Sequence, residues 1–291
     1  MNKLVELKNI KKVYASNYVL RDVSLSIEKN KNIAILGGNG TGKSTLLRII
    51  AGIERPSSGE IYHPSKEINI GYVPERFPKN IRFTPGEYLH YIGKINGIST
   101  VNLQKNIPDY IQRFQLEEVS NKWIMNLSKG NIQKVGIIQA ILDKPDLLIL
   151  DEPISGLDAH AQQELLKLLK EMNEEGTTVL LTYHESNILE GIVDTAYHLS
   201  NGSITKMKQK KLQEMKLIEL EKLDDGIVMS WDEVLFMKKV ESKLILYVHV
   251  RDSDMILTRI LQLKGSIRRV DNVVDFYLHD EKGQGGNNLS E

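Results

Sequence analysis

Residues 32–52 read NIAILGGNGTGKSTLLRIIAG. The stretch opens on an apolar run, Ile33 to Leu36, suited to a buried strand. It closes on a helix-like run, Lys43 to Ala51, stopped by Gly52. Between them stand Gly37, four further residues and Gly42-Lys43-Ser44, the spacing of a phosphate-binding Walker A loop between a strand and a helix. A triphosphate needs many donors and little steric bulk. Glycines let backbone N–H groups curl around anionic oxygens, and the helix N-terminus adds the positive end of its dipole. The expected cradle is Gly37, Gly38, Asn39, Gly40, Thr41 and Gly42. Lys43 would reach the β- and γ-phosphates, and the Ser44 hydroxyl would bind Mg²⁺.

Outward from this loop, a second apolar run, LLILDEP at 147–153, ends in two adjacent acids. Carboxylates at the end of a buried strand are costly unless something uses them. Asp151 suits the Mg²⁺ sphere and Glu152 suits a base for an attacking water, although a solvated turn would also hold two acids. Ser155-Gly156-Leu157-Asp158 follows, and Asp158 can N-cap the helix that runs through Leu165, Leu168 and Met172. TTVLLTY at 177–183 reads as a buried strand with His184 at its end. Of the seven histidines, His184 alone sits in a motif; a structural hydrogen-bonding role is its other reading. Upstream, Leu127-Ser128-Lys129-Gly130-Asn131 leads into a helical pattern, and Ser128 fits both an N-cap and an anion site. The strand INIGYV at 68–73 ends at Pro74-Glu75. Thr84-Pro85-Gly86-Glu87 is a complete helix start: N-cap, Pro at the first position and a capping-box Glu. That helix stops near Gly97, and 102–127 read as one or two more short helices, so a helical insertion is expected in an α/β domain. Residues 3–8 and 23–27 read as short strands. Tyr14, between them, is either a half-buried strand aromatic or a ring stacked on adenine.

The length, 291 residues, allows one large domain or two unequal ones. Lys plus Arg is 38 and Asp plus Glu is 38, so no basic excess points to nucleic acid. The absence of cysteine excludes disulfides and thiolate metal sites, and a reducing compartment fits. The N-terminal MNKLVELKNIKKVY lacks the apolar segment of a secretory signal. No apolar run reaches the ~18–20 residues needed to cross a bilayer. The expected protein is soluble, or held at a membrane by a partner. Asn201-Gly202 within TAYHLSNGSITKM predicts a hairpin turn. Lys206, Lys208, Lys210 and Lys211 then form a small basic cluster read as a linker face. The expected organisation is a nucleotide-binding domain at 1–212, a small accessory α/β domain at 213–280 and a disordered tail at 281–291. In the accessory domain, Leu244 to Val250 reads as a strand, Asp252 to Leu263 as a helix closed by Gly265, and Val273 to Leu278 as a strand.

With these motifs in this order, residues 1 to about 210 resemble the ATPase subunit of ATP-binding-cassette (ABC) transporters. The resemblance implies a P-loop NTPase fold: a mixed sheet core, a β-rich edge subdomain and a helical subdomain. It implies ATP hydrolysis with ATP and Mg²⁺, a dimer with a second ATPase subunit, homodimeric or heterodimeric, and polytopic membrane subunits as partners, at the inner face of the cell membrane. Carried over by position, Tyr14 stacks the base, Lys43 and Thr45 hold phosphates, and Ser44 and Asp151 serve Mg²⁺. Glu152 is then the catalytic base, His184 contacts the γ-phosphate, and Ser128 and Gly130 act across the dimer. Two sites depart from the family pattern. The signature reads LSKGN where LSGGQ is usual, and Glu75 stands where the family has glutamine but keeps a Mg²⁺-capable oxygen. The combination looks like export-type subunits that pair with separate membrane proteins. The rivals are an ATP-sensing cassette that does not turn over and a non-transport cassette ATPase. Intact Glu152 and His184 oppose the first; the balanced charge and single cassette oppose the second.

Overall fold

The structure is a computed structural model, and it describes residues 3–64, 68–183, 189–207, 215–240 and 243–273. The chain divides into two compact units, Met1–Gln209 and Lys210–Glu291.

The first unit begins with a long antiparallel hairpin, β1 (Lys3–Tyr14) and β2 (Asn17–Glu28). The two short strands expected at 3–8 and 23–27 are therefore parts of longer ones. The turn, Ala15-Ser16, takes positive φ values of 43° and 72° without the Gly or Asn that signals such a turn. Strand β3 (Asn32–Leu36) runs through the phosphate loop into α1 (Lys43–Ile50). Strand β4 (Ser58–Tyr62) pairs with β1, giving a three-stranded antiparallel sheet in the order β2-β1-β4. Then come β5 (Ile70–Val73) and the helical insertion, α2 (Pro85–Ile95) and α3 (Thr100–Arg113), with 3₁₀ turns at Glu117–Val119 and Ile124–Asn126. Thr84 and Glu87 form the capping box read from the sequence. Helix α4 (Lys129–Ile141), β6 (Leu147–Asp151), α5 (Ala159–Glu174) and β7 (Thr178–Thr182) follow. The hairpin β8 (Thr195–Ser200) and β9 (Ser203–Lys206) turns at Asn201-Gly202.

Among the described residues, β5-β6-β7-β3-β8-β9 form a six-stranded sheet, parallel except for β9. Alternation along its strands builds two cores. Ala34, Leu148, Leu150, Val179 and Leu181 face a core shared with α4 and α5. Ile33, Ile35, Leu147, Ile149 and Leu180 face one shared with α1 and the β1–β2 sheet. A sheet covered on both faces needs strands apolar at every position, and β6 and β7 are buried at all five. Each fully buried Leu or Ile contributes about 1.5–3 kcal/mol.

The second unit holds β10 (Met215–Glu221), α6 (Asp225–Val228), β11 (Val234–Val240), β12 (Lys243–His249), α7 (Val250–Gln262) and β13 (Ser266–Val273). Its sheet runs β11-β12-β10-β13, antiparallel throughout, in the β-α-β-β-α-β chain order of ferredoxin-like domains. Ile218, Leu220, Leu244, Leu246 and Val248 pack with Ile256 and Ile260 of α7. Strand β13, at Ser266–Val273, was not expected from the sequence; Arg268, Arg269 and Asp271 break the apolar alternation that would have marked it. Residues 274–278, the expected tail at 281–291, the 212/213 boundary and Lys208, Lys210 and Lys211 lie outside the described residues.

Candidate functional site

The parallel strands end at one edge, and register sets what meets there. Asp151 of β6 pairs with Thr182 of β7, and Thr182 pairs with Ile35 of β3. Val73 of β5 pairs with Leu150, so the chain leaves β5 toward Glu75 beside Asp151. Ligands bind in such sheets beyond the carboxyl ends of the strands.

The phosphate loop spans β3 and α1. Gly40 and Gly42 take φ values of 75° and 102°, a region other residues avoid. Helices α2, α3, α4 and α5 each start on a side-chain cap, from Thr84, Ser99, Ser128 and Asp158. Helix α1 starts at Gly42 with no side-chain cap and no acid in its first turn. Its leading N–H groups are therefore left for an anion. Lys43 is buried, and its Nζ donates to the Gly37 and Gly38 carbonyls at 2.8 and 3.1 Å. Burial lowers the Lys43 pKa, opposed by the charges of Glu152, Asp151 and Glu75 in that order. Two adjacent acids and a third distant in sequence thus act on the loop's cation.

Asp151 is 1% exposed. The Thr182 hydroxyl donates to its Oδ1 at 2.7 Å and accepts from the Glu152 N–H at 3.0 Å. Glu152 takes a left-handed φ of 50°, which this contact helps to hold. Beside them Tyr72 is pushed up to about 12, by burial first and by the Asp151 charge second. Glu75 is on an exposed loop, 3.6 Å from Arg76. The Ser44 hydroxyl and the Asp151 and Glu75 carboxylates are hard oxygen donors of the kind Mg²⁺ takes. Among the described residues no three His, Cys, Asp or Glu could hold a metal unaided.

Ser128 caps α4, accepting from the Asn131 N–H at 3.3 Å. Lys129 Nζ donates to Ser155 Oγ at 3.2 Å, and a Cβ on Gly130 would lie 2.4 Å from the Gly156 carbonyl oxygen. The 127–131 and 155–158 segments are therefore packed backbone to backbone. Asp158 caps α5 through Ala161 N–H at 2.8 Å and pairs with buried Lys134 at 2.7 Å. The Lys134 hydrogen bond, then the Ala161 amide, hold its carboxyl below the usual range. Tyr14 ends β1 at the hairpin tip and is 41% exposed. Its hydroxyl donates to Glu54, and Lys12 Nζ lies 5.0 Å from the ring centre. His184 lies outside the described residues. Thr182, Lys134 and Glu54 escaped the sequence reading. Only Thr182 carried a signal, a hydroxyl closing an apolar strand.

The ABC transporter family profile matches residues 20–155, and an AAA-domain profile (putative AbiEii toxin, type IV toxin–antitoxin system) matches 124–190. An uncharacterized ABC transporter ATP-binding protein of Methanocaldococcus jannaschii is 29% identical over 87% of this chain and 97% of its own length. A zinc import ATP-binding protein of Wigglesworthia glossinidia brevipalpis is 32% identical over 74% and 90%. A Nod factor export ATP-binding protein of Cupriavidus pinatubonensis is 30% identical over 62% and 58%. Among solved structures, an ATP-binding subunit of an ABC transporter superposes with a TM-score of 0.66 at 30% identity, over 71% of this chain and 90% of that one. A dimeric cassette bound to ADP and phosphate in a post-hydrolysis state gives 0.63 at 27% identity, over 71% and 99%. The uncapped phosphate loop, the paired acids and these likenesses agree: the chain belongs to the ABC transporter family, as an ATP-binding subunit that hydrolyses ATP.

Proposed function

We propose that this subunit powers export of a substrate through separate membrane subunits, working as a dimer on the cytoplasmic face of a membrane and using Mg²⁺. The observation that carries the site chemistry is the Thr182 hydroxyl held between the buried Asp151 carboxylate and the Glu152 amide, at the sheet edge where the phosphate loop begins. The cradle Gly37–Gly42, Lys43 and Thr45 bind the phosphates. Ser44, Asp151 and Glu75 would hold Mg²⁺, which would supply neutralisation of charge on the transferring phosphoryl group. Glu152 takes the proton of the attacking water, and His184 contacts the γ-phosphate. Ser128 and Gly130 complete the site of the second subunit, and Tyr14 stacks the base. A second subunit fits the neighbour solved as a dimer with ADP and phosphate. No helix of the described residues is long and apolar enough to cross a membrane.

The relatives' names include both an importer and an exporter, so direction rests on the motif combination, which resembles that of export-type subunits. Inside-out vesicles carrying this subunit together with its membrane subunits provide the test. ATP-dependent accumulation of a substrate in the lumen supports export. ATP-dependent loss from preloaded vesicles overturns it.

A further inference from the structure

The Tyr14 ring projects from the tip of a hairpin, where a side chain would ordinarily sample several rotamers. Here it is held. Glu54, in the turn that follows α1, accepts from the Tyr14 hydroxyl on Oε1. The same oxygen meets Lys12 Nζ at 2.9 Å, and Oε2 meets Arg48 Nε at 3.1 Å. The turn carrying Glu54 is fixed at both ends. Glu54 N donates to the Arg48 carbonyl at 3.2 Å, and Ser57 N donates to the Lys11 carbonyl at 2.8 Å. Arg48 reaches onward, donating from Nη2 to Thr45 Oγ1 at 3.3 Å. One carboxylate therefore links the hairpin tip to a hydroxyl in the first turn of α1.

We propose that Glu54 is a positioning residue for nucleotide binding: it sets the Tyr14 ring in place as a platform for the base and, through Arg48, orients the Thr45 hydroxyl at the phosphate end. This rests on the reading of Tyr14 as the base-stacking residue. The Lys12 ammonium closes one face of the ring and leaves the opposite face for a planar heterocycle. Because the Thr45 oxygen already accepts from Arg48, its proton is directed elsewhere, toward a phosphate oxygen. The gain is preorganisation: the ring's rotamer freedom is spent on folding, not on binding. The carboxylate is firmly ionised in this role. Burial alone would raise its pKa, but hydrogen bonds from Tyr14, Lys12 and Arg48 outweigh burial and lower it to about 2.

The test compares the dissociation constants of ATP and inorganic tripolyphosphate, by calorimetry on the full chain without Mg²⁺. The ratio of the two isolates the contribution of the base and sugar. Tyr14→Ala should weaken ATP by about tenfold, in line with loss of one stacked base, and leave tripolyphosphate unchanged. Tyr14→Phe keeps the ring but loses the clamp, and should weaken ATP by about three- to tenfold. Glu54→Ala should shift the ratio as far as Tyr14→Phe does, and the double variant no further. Tyr14→Phe is conservative enough to fold even if Glu54→Ala does not. Wild-type ATP binding by Tyr14→Phe overturns the clamp, as does a Glu54→Ala shift that adds in full to that of Tyr14→Phe. An unchanged ratio in Tyr14→Ala overturns the platform itself, and the inference falls with it. A Tyr14→Ala loss with no Glu54→Ala loss leaves the platform standing and removes Glu54 from it.

Discussion

Replacing Thr182 by valine isolates one hydroxyl at the centre of the site. The side chain is fully buried, and the change nearly preserves volume. It removes a donor from the buried Asp151 carboxylate and an acceptor from the Glu152 amide, contacts of 2.7 and 3.0 Å. A hydrogen bond to a charged group is worth about 1.5–3 kcal/mol, and an orphaned amide costs about 1–3 kcal/mol more, so Thr182→Val should lose about 2.5–6 kcal/mol of unfolding free energy. For a unit of this size that lowers Tm on the order of 10 °C. Turnover should suffer separately. Glu152 is held at φ 50° partly by this contact, and a base displaced by about 1 Å loses up to about 10² in rate. We expect kcat to fall about 10- to 100-fold, with the dissociation constant for ATP changed far less. Thr182→Ser keeps the hydroxyl and gives up one methyl, costing about 1 kcal/mol of stability. It should retain most of kcat. Phosphate release under saturating ATP, paired with thermal unfolding by circular dichroism, reads both quantities. Wild-type kcat in Thr182→Val, or equal defects in the serine and valine variants, would refute the assignment of the hydroxyl.

Three further outcomes follow from the same geometry. Glu152→Gln should bind ATP yet hydrolyse it about 10²-fold more slowly, measured as single-turnover phosphate release; unchanged turnover removes Glu152 from the chemistry. Gly130→Ala places a methyl 2.4 Å from the Gly156 carbonyl oxygen, so it should force the two segments apart at a cost of about 1–3 kcal/mol, visible in urea unfolding; an unshifted midpoint would show that the packing is loose. Glu54 sits at about 2 in the folded chain against an ordinary 4.5, so its pairing stabilises the fold above pH 4.5 and that contribution is lost as pH falls toward 2. The stability deficit of Glu54→Gln against the wild type should therefore shrink over that interval, and a deficit constant from pH 6 to pH 3 would contradict it.

What the amino-acid sequence determined by itself was local. The phosphate loop was legible because its strand, glycines, Lys43 and helix start are contiguous, and the caps at Thr84, Ser128 and Asp158 because a cap acts within three residues. The acids Asp151 and Glu152 were legible as a breach in an apolar run. The hairpin at Ala15-Ser16 was not, since no residue there advertises positive φ, nor was β13, whose charges mask its period. Only the tertiary structure decided how the pieces meet. Strand order β5-β6-β7-β3 does not follow chain order, and it brings Glu75, Asp151, Thr182 and the phosphate loop to one edge. The Thr182 contact exists because parallel pairing sets it level with Asp151, and a slip of one residue would turn that hydroxyl to the other face of the sheet. Glu54 reaches Tyr14 because the turn after α1 folds back onto β1. Hydrogen-bond partners separated by some 30 or 40 residues are chosen by sheet register and packing, which no short stretch of sequence encodes.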